Sequence, residues 1–360
     1  MNNNPDSNYC YSFPAIRGIQ AGRPFYIATC PLRIIPKIFS FDDKEAKPEL
    51  RAQRTLNKSR IPEMVRYLID NPKDYVFSAL TASIAVNVEF KEYSEAQNLG
   101  MLLVPMDSQI LINDGQHRRK AIEEAIKKKP ELGQDNIPVL FFIDQGLVKS
   151  QQIFADLNKY AVKPSPSLAT LYDHRDHASE LARNLASQIE PFIGLTEMER
   201  STISTQSDKL FTLSSIRQAT RALLSKGLKD SYSEDEKKLA TEYWYQVFLN
   251  MPDWKMAINK EVSALKLRQE FIHSHGVGLH ALGILGQSLL QNSPLNWKKE
   301  LSKLRLINWR KTNPEWIRRT MSHGKLSKSI SSIKLTTNFL KITFDLPLTE
   351  EEKILEQKVN

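Results

Sequence analysis

The sequence predicts an α/β (α+β) N-terminal domain over residues 1–165 and a predominantly α-helical C-terminal domain over residues 166–360. Three observations carry this. Short β-rich runs alternate with helical periodicity as far as "YAVKPSPS", an order of strand, turn, helix and strand that belongs to α/β architecture. The prolines of "VKPSPS" break the chain there. Beyond them strand signals are sparse, and apolar residues recur at helical spacing.

Taken in order, "RPFYIATC" reads as a strand ending near Cys30, and "ELRAQRTLNKSR" is helical in tendency. Pro62 suits the first turn of the next helix, where Ile61, Met64, Val65 and Leu68 make an apolar face over Ile61–Ile69. Tyr75–Phe90 is β-branched and aromatic, giving one long strand or two short ones. "MLLVP" and "QILIN", joined by Met106-Asp107-Ser108, suit a hairpin. Asn113-Asp114-Gly115 signals a turn, and "QHRRKAIEEAIKKK" continues as a helix to Pro130. "IPVLFFID" has the length of a strand covered on both faces, and "VKSQQIFADLNKYA" reads as a helix. In the second domain "LATLYDHRDHASELARNLASQI", "TLSSIRQATRALLSKG", "SEDEKKLATEYWYQVFL", "ALKLRQEFIHSHG" and "LHALGILGQSLLQ" are helical, and "NFLKITFDLP" looks extended. Thr349 followed by Glu352 is a capping-box pattern for a last short helix.

Composition is that of a globular chain, 41% hydrophobic and 25% charged over 360 residues. The polar start "MNNNPDSN" is expected to fray. No apolar run approaches the roughly 20 residues of a membrane span, and no charged-then-apolar leader opens the chain; the expectation is a soluble cytoplasmic protein. Cys10 and Cys30 make neither a metal spacing nor a disulfide framework. The net charge of +9 is localised: eleven basic residues between Asn296 and Lys334 face only Glu300 and Glu315. These are Lys298, Lys299, Lys303, Arg305, Arg310, Lys311, Arg318, Arg319, Lys325, Lys328 and Lys334. Such a stretch favours a polyanion through release of condensed counterions; a solvated helix face is the competing reading. Trp297, Trp309 and Trp316 in the same stretch are either core anchors or flanks of a nucleic-acid track.

The stretch "LINDGQHRRKA" poses an electrostatic question, because a helix N-terminus already carries partial positive charge and here receives His117, Arg118, Arg119 and Lys120. The turn leaves N–H groups free to bind phosphate or carboxylate, so the cations make sense beside an anionic ligand. Residues one and two apart do not share a helix face; Gln116, His117 and Arg118 or Arg119 are the ones expected to line such a site, beside Gly115. Asp114 can pair with an arginine, cap the helix, or hold a metal with phosphate, capping being the commonest role.

Asp114-Gly115-Gln116-His117-Arg118 is also the motif that names the DGQHR-domain family, and the chain resembles its DndB branch, associated with bacterial DNA phosphorothioation. "RTLNKSRIPEMVRYLIDNPKDYVFSALTASI", "QIFADLNKYAVKPS", "KLFTLSSIRQAT", "HSHGVGLHALG" and "LRLINWRKTNPEW" are similar to recurring blocks of that family in the same order. The resemblance implies a repressor that binds double-stranded promoter DNA of its own modification cluster, with other proteins of the system or a second copy of the chain as further partners. It does not imply sulfur-transfer catalysis, and two scattered cysteines could not ligate an iron–sulfur cluster. The DGQHR domain is also similar to ParB-like domains, whose corresponding turn holds nucleotide phosphates. By that route Asp114, Gln116, His117 and Arg118 would contact a nucleotide, with or without Mg²⁺, and hydrolysis of a nucleoside triphosphate stays open as the alternative activity.

A ParB-like fold would also bring Asn158 and Lys163 to that ligand; otherwise Asn158 simply sits near a helix C-terminus. Arg51, Arg54 and Lys58 share a helical face and, with Arg60, form a second basic cluster for DNA backbone or ligand phosphates, or else a solvated face. For DNA in the C-terminal stretch the candidates are Lys298, Lys299, Arg305, Arg310, Lys311, Arg318 and Arg319. The HRD triplet in "LYDHRDHASE" lacks the glycine-rich loop and DFG element of a kinase. His174 and His177, three apart, lack further metal ligands and read as surface histidines. His273, His275 and His280 beside Gly276, Gly278 and Gly283 fit neither phosphate-loop fingerprint, and the glycines read as close helix packing.

Overall fold

A computed structural model describes residues 9–39, 57–84, 86–143, 147–159, 163–228, 230–292, 296–322 and 324–359. The polar start and the helical stretch expected before Asn57, with Arg51 and Arg54, lie outside these residues. The chain divides into two compact units, Met1–Val162 and Lys163–Asn360.

The first unit is built on one seven-stranded mixed sheet. Its strands are β1 (Cys10–Gln20), β2 (Arg23–Pro31), β3 (Leu80–Ile84), β4 (Glu89–Tyr93), β5 (Ala96–Pro105), β6 (Ile110–Asp114) and β7 (Asn136–Ile143), in the order β4-β5-β1-β2-β7-β3-β6. All pairs are antiparallel except β3 with β7. Among the described residues four α-helices accompany it: α1 (Ile35–Ile38), α2 (Ile61–Asp70), α3 (Gln116–Lys128) and α4 (Leu147–Lys159).

The Tyr75–Phe90 run thus yields two short strands, and Pro62 opens α2, which buries Ile61, Val65 and Leu68. The expected hairpin does not form. β5 has β1 and β4 as its neighbours and β6 pairs with β3, five positions away in the sheet. Alternating apolar runs around a short loop cannot distinguish a hairpin from a crossing between edges. On a flat sheet five strand spacings would separate the two by about 24 Å, whereas the loop from Pro105 to Ile110 reaches at most about 18 Å. The sheet therefore departs from flatness, which brings the end of β5 and the start of β6 within reach of that loop.

β7 is also less covered than its composition suggests: Ile137, Val139 and Phe141 are buried, whereas Asn136 and Pro138 are exposed. Its buried face joins Phe13, Tyr26, Leu102 and Val104 and the inner faces of α2 and α3 in a single core. Each large side chain removed from water in this way stabilises the unit by about 1.5–3 kcal/mol.

The second unit contains α5 (Pro166–Tyr172), α6 (His177–Gln188), α7 (Leu213–Leu223), α8 (Glu234–Leu249), α9 (Pro252–Ile258), α10 (Ala264–Glu270), α11 (Gly276–Gln291), α12 (Trp297–Glu300), α13 (Ile330–Thr343) and α14 (Glu350–Glu356). Two-residue ribbons, β8 (Thr196–Glu197) with β9 (Phe211–Thr212) and β10 (Met321–Ser322) with β11 (Lys325–Leu326), are its paired strands among the described residues. Helix starts follow local chemistry: Ser165, Asp176, Thr212, Ser233, Ser263, Ser329 and Thr349 each accept a first-turn N–H. Asp173 and Asp176 interrupt the "LATLYDHRDHASELARN" pattern, so it becomes two helices. His174 precedes α6 and His177 begins it, and both are exposed.

α11 is apolar nearly all round and packs against α7 and α13. A Cβ on Gly283 would come within 2.2 Å of the Ala219 carbonyl oxygen, so glycine is what permits this approach. "NFLKITFDLP" is not extended; α13 runs through it to Thr343. The β-branched residues favour a strand, yet Thr336, Thr337 and Thr343 place their hydroxyls on carbonyls one turn back, at 2.6–2.9 Å. Leu335 and Leu340 are buried, Leu340 within the unit's hydrophobic core, and tertiary packing overrides propensity.

Candidate functional site

β6 delivers the DGQHR turn. The backbone turns at Gly115, whose φ of +107° lies in the left-handed region, and α3 begins at the next residue. A side chain there would meet Leu80 Cδ2 at 2.4 Å as well as backbone strain, so the position selects glycine. Just upstream, fully buried Asn113 accepts from Ser83 Oγ (2.8 Å) and donates Nδ2–H to the Ser150 carbonyl (3.1 Å). One amide thereby ties β6 to β3 and α4. Gln116 is buried too, its carboxamide donating to the carbonyls of Ile112 (3.0 Å) and Asn113 (3.1 Å).

The cations at the start of α3 meet acids of the same segment. Arg118 folds back onto the Asp114 carboxylate and donates to the Ser78 carbonyl at 3.2 Å. Asp114 therefore pairs with an arginine instead of capping; the N-cap is Gly115, with no side-chain bond. Arg119 binds Glu123 at 2.5 Å and the Pro36 carbonyl at 2.8 Å. Lys120 lies 3.3 Å from Glu123 and 3.8 Å from Glu124. Burial opposes ionisation of Glu123, but hydrogen bonds from Lys127 and Lys120 and the charge of Arg119 prevail and hold its carboxyl below the usual range. His117 Nε2 accepts the Asn57 N–H at 2.9 Å. The unfavourable charge at this helix start is thus offset internally, at i,i+3 and i,i+4 spacing.

Other sequence-selected residues fall elsewhere. Asn158 is exposed near the end of α4 and donates to the Phe154 carbonyl at 2.8 Å, as a helix-terminal residue does. Lys163 is exposed and belongs to the second unit. Lys58 and Arg60 are exposed on a single 3₁₀ turn, Lys58–Arg60.

Within 296–334 the basic residues divide into two sets. Lys298 pairs with Glu242 (2.9 Å), Lys303 with Glu300 and Asp345 (3.0 and 2.9 Å), Arg310 with Glu270 (2.6 Å), and Arg319 with Glu315 and Glu356. Arg305 holds Asn250 and the Leu249 carbonyl, Lys311 the Arg268 carbonyl, and Arg318 the Val359 carbonyl. By contrast Lys299, Lys325, Lys328 and Lys334 are exposed and have no carboxylate partner among the described residues. Trp309 and Trp316 are core residues, stacked at 5.5 Å, and Trp297 packs half-buried on the same core.

The buried network of Asn113, Ser83 and Ser150 escapes sequence reading, because an isolated Asn ending an apolar strand carries no periodic signal. The Asp114–Arg118 and Arg119–Glu123 pairs could have been found from their spacing of four. Burial pushes the Cys30 thiol up to about 12, which leaves almost no thiolate for sulfur chemistry. Among the described residues no cluster of three or more His, Cys, Asp or Glu is arranged to hold a metal, and no helix is long and apolar enough to cross a membrane.

Fold and site define a mixed α/β protein organised around a DGQHR strand–turn–helix, with helices following in a second unit. The comparison with known families supplies the particular: the DndB family, described as DNA-sulfur modification-associated, matches residues 13–347, nearly the whole chain, and the chain belongs to that family. It is accordingly associated with DNA sulfur modification. No curated protein and no solved structure matches it.

Proposed function

We propose that the protein is a DNA-binding regulator, a repressor and accessory component of a DNA phosphorothioation gene cluster. The observation that carries the reading is the set of four exposed lysines, Lys299, Lys325, Lys328 and Lys334, with no carboxylate partner among the described residues. Counterions released from a duplex reward cations that are not already neutralised within the protein. Arg305 and Lys311, satisfied by amide and carbonyl oxygens, have no carboxylate partner among the described residues and extend the positive field. Membership of a DNA-modification family supplies the biological setting.

A nucleotide held at the DGQHR turn has less support, since Arg118, Arg119 and Lys120 already engage carboxylates. The deciding experiment is a gel-shift series on the promoter region of the protein's own cluster and on an unrelated duplex, over a range of salt. Binding that weakens steeply with salt and prefers the promoter supports the regulator; absent or salt-insensitive binding overturns it.

A further inference from the structure

A cavity of about 490 Å³ opens within the second unit, between the starts of α7 and α11, the end of α10 and the segment following β11. That volume is in the range of sites that take small organic ligands, about 300–1,000 Å³. Its chemistry is one-sided. Arg268 and Lys328 line it as cations beside the neutral imidazoles of His275 and His280, and among the described residues no aspartate or glutamate does.

Arg268 is the informative residue. It is 8% exposed, and its terminal nitrogens donate to the carbonyls of Ser204 (2.9 Å), Ser207 (3.0 Å) and Lys209. These acceptors satisfy hydrogen bonds but carry no net charge. No carboxylate among the described residues forms an ion pair with this guanidinium, and Asp208, the acid that acts on it from a distance, lies beside Lys209 instead. A buried cation is ordinarily matched by a counter-charge; here the side with an opening is the cavity. Lys328, exposed on the rim, and Lys311, which shares the Arg268 carbonyl with His275, add to the same field.

We propose that this cavity binds a small organic phosphate of nucleoside-phosphate size. The anion would rest near the uncompensated charge of Arg268, with the Lys328 ammonium, the exposed Ser201 and Thr202 hydroxyls and the first-turn N–H groups of α11 as donors. Several donors from separate elements suit a group with three or four oxygens better than a carboxylate. The first turn of α11 starts without a side-chain cap and reinforces the preference. Ile203, Leu210, Val277, Leu326 and Ile333 form the apolar part of the wall, which a bare inorganic ion would leave unused. A duplex is the poorer fit, because its backbone rides on a surface and would not reach a guanidinium so recessed.

The test is titration calorimetry of the full chain with inorganic phosphate, a nucleoside monophosphate and nucleoside triphosphates, each alone. Lys328→Glu removes the rim cation, and Gln218→Trp blocks the mouth from an exposed position on α7; thermal unfolding verifies that both variants fold. The expected result is one saturable site for at least one nucleoside phosphate, tighter than inorganic phosphate and weakened about tenfold or more by Lys328→Glu. Gln218→Trp should reduce it while leaving promoter binding unchanged, so this inference and the regulator assignment fail separately. No saturable binding, equal affinity for inorganic phosphate, or affinity indifferent to both variants overturns the proposal.

Discussion

The guanidinium of Arg118 closes back over Gly115 onto the carboxylate of Asp114, so the two charged residues of the DGQHR motif neutralise one another. The arginine is 14% exposed and the aspartate 44%. Partial exposure limits the value of the pair, and Arg118→Ala should lower stability by about 1 kcal/mol. Asp114→Asn should cost a similar amount, with the double variant less destabilised than the sum. Denaturant unfolding of the four proteins measures the coupling. Strict additivity would show that the ion pair contributes nothing and that the motif's charges serve another role.

Gly115→Ala tests the backbone requirement separately from charge. An L-residue at φ +107° is strained, and its Cβ would displace Leu80, a fully buried core side chain. A loss of about 1–3 kcal/mol is expected. Because Leu80 and Thr81 belong to the strand that pairs with both β6 and β7, the unfolding midpoint should fall without loss of cooperativity. An unchanged midpoint would contradict the geometry.

These two residues also show what was legible in the sequence. The turn and the helix after it follow from "NDG" and the apolar spacing of Ala121, Ile122 and Ala125, because both are local properties. The capping box at Thr349 is legible for the same reason. Non-local pairing is not: nothing in "MLLVPMDSQILIN" indicates that β5 joins β1 and β4 while β6 joins β3. Nor does the sequence of α13 reveal that its threonines will satisfy themselves within a helix. At the site, charge alone pointed outward to a ligand, whereas the carboxylates that take up that charge sit three or four residues away on the same segment. Arg268 was invisible because having carbonyls, and no carboxylate among the described residues, as its partners is a property of the folded surroundings.

Acidification should destabilise the helical unit before its carboxylates titrate. Burial, then the charge of Lys311, lowers His275 from 6.5 to about 4, against the opposing bond to the Arg268 carbonyl. Burial also lowers His273 and His280, with Asp253 opposing the shift at His273 and Arg221 adding to it at His280. Between these pH values the unfolded chain binds more protons than the folded one, so stability falls as pH falls. The contribution is intact above pH 6.5 and lost as pH drops through about 4. Unfolding midpoints taken from pH 7 to pH 4 should show the decline, and His275→Gln, which retains a donor for the carbonyl, should flatten it. An identical profile in the variant would remove His275 from this account.

Charge compensation makes a sharper prediction for DNA binding than total charge does. Neutralising Lys299, Lys325, Lys328 or Lys334 should reduce the slope of log affinity against log salt by about 0.9 for each DNA phosphate that is no longer neutralised. All four are exposed, so substitution by glutamine should leave thermal stability nearly unchanged. Lys298→Gln and Lys303→Gln remove equal formal charge, but from side chains already paired with Glu242 and with Glu300 and Asp345. Those variants should alter the slope little and, for Lys303, cost some stability through the acids left behind. Equal slope changes in both groups would mean that DNA responds only to net charge, and that the four unpaired lysines do not mark the DNA-facing surface.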